Sequence, residues 1–255
     1  MKISVITPSI RPQGLEIVAN ALKKQEFRDF EWIICAPQHL KVEIENTLRD
    51  TISYFFIGNP QLRKEQFWDL NYSYNRMIEK STNNIIISWQ DNVWAKPDAL
   101  SKFFETVKVV NAPVSGIGNQ YLQLNKWGKP EVCVWKDPRR TTEFGSFYQI
   151  QHDDIEWNFC ACPKQLLIDV GGADEKLDFL GRGGDMFQIT DRLNDLGVKF
   201  WIDQTNESFT LQHDRSNYGG EEKWNKSHIL LNGKYNERKK QLIEENKWPI
   251  LDYLK

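Results

Sequence analysis

A chain of 255 residues with 40% hydrophobic and 27% charged residues has the composition of a globular protein large enough to bury a sizeable core. Its 33 Lys+Arg and 35 Asp+Glu leave a net charge of −2, so no global basic field argues for DNA, RNA or an anionic membrane as partner. No apolar run is long enough to cross a bilayer, and no signal peptide precedes the first strand pattern. Four cysteines (Cys35, Cys133, Cys160, Cys162) make no disulfide framework in a chain this long, so reduced thiols and a cytoplasmic protein are expected.

Read in chain order, Lys2 to Thr7 is a β-branched run stopped by Pro8 and predicts a strand. Leu15, Val18, Ala19 and Leu22 recur at helical spacing. Strands are predicted again over Glu31 to Ala36, Ser53 to Gly58 and Asn84 to Trp89. An amphipathic stretch from Leu40 to Arg49 and helices through Leu70–Ile78 and Leu100–Val107 separate or follow them. Such alternation predicts an α/β fold whose mostly parallel sheet is covered by helices on both faces. The unbroken isoleucines 85–87 agree, because parallel strands are buried on both sides.

The second half is less regular. Residues 112–124 and 131–136 read as strands, and 139–154 as an extended or looped excursion. A helix over Pro163 to Glu175 is closed by Gly171-Gly172, and another through Met186, Ile189, Leu193 and Leu196 stops at Gly197. "VKFWID" and "SFTLQHD" read as two strands, and a charged, mostly helical tail follows from Glu221. The expected organisation is one domain over 1–215, with a nucleotide-binding front half (1–110) and an acceptor-shaping back half (111–215), then a helical extension over 216–255.

Ligands of open parallel sheets bind at the carboxyl ends of the strands. Those ends are Thr7-Pro8-Ser9, Ala36-Pro37, Gly58-Asn59 and Gln90-Asp91-Asn92. The last triplet ends a buried strand on oxygen-rich side chains, which suits a cation and phosphates but would also suit a turn or a cap for the helix after Pro97. Ten tryptophans are more than usual; Trp89, Trp94, Trp157 and Trp224 stand beside polar residues, where an indole can hold a sugar or base or simply pack the core.

The ordered set "ISVITPSIRP", "FEWIICA", Asn75, Gln90-Asp91-Asn92, "GGADE", Gly-Gly-Asp before a helix, and "LQHDR" resembles the family 2 glycosyltransferases of the GT-A fold, over residues 2 to 214. The resemblance implies an inverting transfer from a nucleoside-diphosphate sugar, UDP-linked, assisted by one Mn²⁺ or Mg²⁺. It implies Asp91, Asn92 and His213 at the metal, Thr7, Pro8, Ser9, Arg11, Asn75, Gln90 and Asp91 at the donor, and Asp185 as the base. Arg182, Gly183, Gly184 and Trp157 would face the acceptor, a glycan, lipid-linked sugar or other hydroxyl. Asp174 and Asp191 are fallback bases, and Lys64 is a further donor contact. Three departures stand out: Gln90 and Asn92 flank a single carboxylate, Gly184 precedes Asp185 where an acid is usual, and Ala36-Pro37-Gln38 replaces an acid that would read uracil. An inactive nucleotide- or glycan-binding relative, and a hydroxymethylated base in DNA as acceptor, are the competing expectations. A nucleotidyltransferase is disfavoured by the single glycine after the first strand.

Overall fold

The computed structural model describes residues 2–60, 69–124, 130–180, 185–211, 233 and 235–254. In chain order they form β1 (Ile3–Pro8), α1 (Pro12–Lys23), β2 (Phe30–Pro37), α2 (Lys41–Thr47), β3 (Phe55–Asn59), α3 (Leu70–Lys80), β4 (Ile85–Trp89), β5 (Val93–Ala95) and α4 (Ala99–Val110). Then come β6 (Val114–Leu124), β7 (Pro130–Lys136), β8 (Phe147–Ile150), β9 (Phe159–Pro163), α5 (Lys164–Asp169), α6 (Asp185–Asp195) and β10 (Phe200–Leu211). The sheet runs β3-β2-β1-β4-β9-β6-β10-β5, with β7 beside β6 and β8 beside β10. The β3-β2-β1-β4 half is parallel. Antiparallel β9 lies between β4 and β6, and β10 is again parallel to β6.

Period-two alternation divides the core into two faces. On β4, Ile85, Ile87 and Trp89 join α1, α2 and α4 in one cluster, whereas Ile86 packs with α3, α5 and α6 in the other. Ser88, on the second face, is hydrogen-bonded to the Tyr74 hydroxyl at 3.1 Å, so a buried polar group is satisfied. The three consecutive isoleucines are therefore what a strand covered on both sides requires. Proline opens α1, where its missing N–H costs nothing.

Several segments differ from the sequence expectation: β5 and β9 are strands where none was expected, and the helix expected over Pro163 to Glu175 is only Lys164–Asp169. The two strands read at the end of the second half are one strand, β10, with its register shifted between Asp203 and Glu207; the polar run 203–207 looks like a break but is a bulge. Residues 235–244 are helical, but with 251–254 they pack against the second half of the chain. Leu242 is fully buried, and the Leu251 and Tyr253 N–H groups donate to the Val170 and Gly171 carbonyls at 3.0 and 3.1 Å. Among the described residues no helix is long and apolar enough to cross a membrane.

Candidate functional site

The ends of β1 and β4 are neighbours, paired in register up to Ile6 and Ser88. Beyond them the chain closes a small polar cluster. The Ser9 hydroxyl donates to Asp91 Oδ2 at 2.7 Å and accepts the Arg11 N–H at 3.0 Å. Arg11 holds the same carboxylate from two sides, Nε to Oδ2 at 3.1 Å and Nη2 to Oδ1 at 2.5 Å. Asp91 is 3% exposed at its side chain and Arg11 31%, so the carboxylate is the floor and the guanidinium the surface. Bidentate pairing of this kind fixes geometry as well as charge.

The turn carrying Asp91 is held on every side. Gln90 donates its N–H to the Asn158 carbonyl at 3.0 Å, and the Trp89 indole closes onto the Val93 carbonyl at 2.8 Å. Asn92 takes a left-handed φ of 61°, a conformation asparagine tolerates well. Its N–H donates to Gly14 in α1 and its carbonyl accepts from Leu211 at the end of β10. The Asn92 amide lies against Gly14, where an added Cβ would sit 2.8 Å from Oδ1. Gln90-Asp91-Asn92 is thus a turn that presents one carboxylate.

Other expected residues are placed as follows. The Thr7 hydroxyl is buried and accepts from the Trp32 indole at 2.9 Å, and Pro8 lies within the β1–β2 ladder. Asn75 does not face the sheet edge: its amide donates to Ala173 and Glu175 and accepts the Ala173 N–H at 2.8 Å, so it braces the Gly-Gly-Ala-Asp-Glu loop. Trp157 is 6% exposed, and its indole donates to Thr190 in α6 at 2.9 Å, which makes it a core anchor of that helix. Trp89 is likewise fully buried and Trp94 partly so. Asp174 is fully buried and taken by Arg238 and Tyr253; Asp191 is taken by Tyr235, Lys239 and His152.

Asp185 is the first residue of α6, described at its backbone only. Lys64, Arg182, Gly183, Gly184, His213 and Trp224 lie outside the described residues. Helix α6 is fixed by Arg192, wholly buried, whose guanidinium donates to the Val170 and Gly172 carbonyls at the end of α5. Burial pushes this arginine down to about 10, against the pull of Asp174.

Sequence reasoning missed a second charged cluster, beside β6 and β7. Asp137, just after β7, accepts the Gly118 N–H and holds Arg139 bidentately at 2.9 and 2.5 Å. Arg139 in turn donates to Ser115 and to the Asp154 carbonyl, tying β6 to the segment that leads into β9. Glu156 stands at the rim of this cluster; desolvation of its carboxyl pushes its pKa up, with Arg139 opposing and Asp137 adding. No local pattern in "WKDPRR" or "DDIEWN" marks these residues, because their partners come from distant strands.

Asp137→Asn is expected to cost about 3 kcal/mol at pH 7, since it strands a buried guanidinium. Burial raises the Asp137 pKa, but the Arg139 hydrogen bonds and charge outweigh it and hold the carboxyl below its ordinary 3.8. A depressed folded value means the stabilisation is present above 3.8 and lost as pH falls through the folded value. Urea melts of both proteins should differ at pH 7 and draw together below pH 3.8; coincident melts at neutral pH would refute the role.

No family model matches the sequence, and no curated protein matches it. Solved structures do match. The S. aureus TarS 1–349 structure superposes with a TM-score of 0.56 at 12% identity, over 83% of this chain and 60% of that one. The same TarS segment in complex with UDP gives 0.55 at 13% identity, over 86% and 63%. GalNAc-T7 with UDP, GalNAc and Mn²⁺ gives 0.62 at 12% identity, over 84% of this chain and 44% of that one. The chain therefore spans less than two thirds of the length of these proteins. At these identities the likeness establishes the fold, which is GT-A.

Proposed function

We propose that the protein is a glycosyltransferase that moves a sugar from a UDP-linked donor to an acceptor hydroxyl with inversion at the anomeric carbon. The observation that carries this reading is the Ser9–Arg11–Asp91 cluster at the carboxyl edge of the parallel strands, where such sheets bind ligands, in a fold shared with UDP-bound structures. Gln38 supports the nucleotide end. Its carboxamide is seated over Gly58, where a Cβ would come within 1.7 Å of Oε1, and it stands at the joint ends of β2 and β3. A carboxamide offers both a donor and an acceptor to a pyrimidine edge.

In this mechanism the acceptor oxygen attacks the anomeric carbon while the bond to the diphosphate oxygen breaks. Asp185, at the start of α6, takes the acceptor proton. Charge grows on the departing diphosphate, and fixed positive groups there lower the barrier. Trp157 and Arg192 hold α6, and so Asp185, in place.

The divalent cation implied by the resemblance finds a poor set of ligands among the described residues. Asp91 is a single carboxylate at the end of β4 and both its oxygens are hydrogen-bonded; the Asn92 amide is packed on α1. No group of three His, Cys, Asp or Glu side chains converges among the described residues. Hard divalent cations favour several oxygen ligands, commonly with more than one anion among them.

The reading is tested by thermal unfolding with UDP, GDP and their sugars. UDP at a hundredfold its Kd stabilises by about 2.7 kcal/mol, several degrees in Tm for a protein of this size. Released UDP from a UDP-sugar panel would extend binding to turnover. Indifference to every nucleotide would end the proposal.

A further inference from the structure

We propose that Trp94, Phe209 and Tyr121 form a platform on which a saccharide acceptor lies, with Asn119 as the group that reads its hydroxyls. The inference deepens the glycosyltransferase reading and rests on it. The three rings come from three adjacent strands, β5, β10 and β6. Phe209 is in the middle, its ring centroid 5.2 Å from that of Trp94 and 5.7 Å from that of Tyr121. Phe209 is buried, while Trp94 and Tyr121 on either side are half-buried. Asn119 stands opposite Phe209 in the parallel ladder and so on the same face. It is only 6% exposed, and its amide is in no hydrogen bond among the described residues.

The platform adjoins the candidate site. Trp94 follows the Gln90-Asp91-Asn92 turn, and Leu211, next to the Phe209 end of β10, donates its N–H to the Asn92 carbonyl at 3.0 Å. The same face carries α6. Ser115 of β6 pairs with Cys160, which packs in the cluster shared by α3 and α6, and period-two alternation puts Asn119 and Tyr121 on the side of Ser115. Hydrogen bonding does not anchor Trp94: the Trp32, Trp89 and Trp157 indoles each donate to a partner, whereas the Trp94 N–H has none.

Flat rings suit the C–H faces of a pyranose, and its hydroxyls need donors and acceptors, both of which a carboxamide offers. A buried amide without a partner costs stability, and a sugar hydroxyl would satisfy it. A nucleobase also stacks on such rings, but a nucleic acid needs cations along its phosphates. Lys96 and Arg140 beside this stretch of β10 are both paired with Glu207, the first at 2.5 Å. The rim is thus neutralised, which favours an uncharged saccharide.

The full chain is screened on a glycan array displaying hexose, N-acetylhexosamine and deoxyhexose termini. Calorimetry then follows with the best soluble trisaccharide, with UDP and with an oligothymidylate. The expected result is saccharide binding and no binding of the oligonucleotide. Tyr121→Leu keeps an apolar side chain on the sheet but removes the ring, and Asn119→Leu replaces the amide at similar volume. Each should weaken the saccharide by about fivefold or more, as truncated aromatic and polar anchors do, and leave UDP affinity within about twofold. Asn119→Leu should not lower Tm, because it removes an unsatisfied amide; an amide needed only for the fold would cost stability when replaced. UDP binding with no saccharide bound, oligothymidylate bound in its place, or unchanged saccharide affinity in both variants would overturn the platform and leave the donor reading standing. Saccharide binding that both variants weaken, without binding of UDP, would support the platform and overturn the donor reading.

Discussion

Gly171→Ala is expected to lower the unfolding free energy by about 2 to 5 kcal/mol, the sum of a left-handed backbone penalty and an overpacked contact. Gly171 has φ +71°, where a side chain is strained whatever the space. Space is absent as well, because an added Cβ would lie 1.6 Å from the Leu251 carbonyl oxygen and 2.3 Å from its carbon. Those are backbone atoms, and they cannot swing aside as the tip of a long side chain can. The Gly171 carbonyl also accepts N–H groups from Tyr253 and Leu254, so displacing 251–254 breaks further bonds and uncovers Leu254. A protein of this kind has only about 5 to 15 kcal/mol in all. Chemical denaturation, with alanine at the open Gly197 as a control of similar φ, measures it. An effect at 171 no larger than at 197 would show that residues 251–254 are not packed as described.

Asp185→Asn is expected to reduce turnover by roughly 10² to 10⁴ while leaving UDP affinity within about twofold, because an amide cannot accept the acceptor's proton. The comparison is clean at this position. Asparagine suits the beginning of a helix about as well as aspartate does, so α6 should keep its start. An acid that only complements the helix dipole would change stability by about 0.3 to 1 kcal/mol and leave the rate alone. Steady-state turnover, a binding isotherm and a melting curve on the same preparation separate the two roles. Unchanged turnover would remove Asp185 from the chemistry and turn attention to Glu156, which has no other assigned task at the rim.

Much of the first 110 residues is legible in the residues themselves. β-branched runs separated by helical spacing specify β1, α1, β2, α3, β4 and α4, and parallel order follows from the crossovers. Glycines 171 and 172 mark the end of α5, and both have positive φ. The second half is harder to read. β9 is five residues of mostly small, apolar side chains, and nothing in "FCACP" says that it will run antiparallel between β4 and β6. β5 is three residues long and exists because β10 pairs with it.

At the site, Ser9, Arg11 and Asp91 can be singled out from strand ends alone, but not their mutual contact. That contact spans 80 residues and depends on two turns meeting. Asn75 and Trp157 show the opposite case. Polar and aromatic side chains near a site read as ligand contacts, yet one completes the hydrogen bonding of a buried loop and the other fills the core between two elements. Residue type names what a group can do, and burial decides what it has left to do.

The position of β9 has a practical bearing on attempts to recombine this protein. A segment from beyond residue 111 occupies the slot beside β4, so the two halves of the chain share one sheet. Asp178 reinforces this by accepting the Asn71 and Tyr72 N–H groups at the start of α3, 107 and 106 residues earlier. Grafting the front of this chain onto the back of a distant relative would therefore interrupt the sheet at its centre, whereas swapping turns along its upper rim would leave every ladder intact.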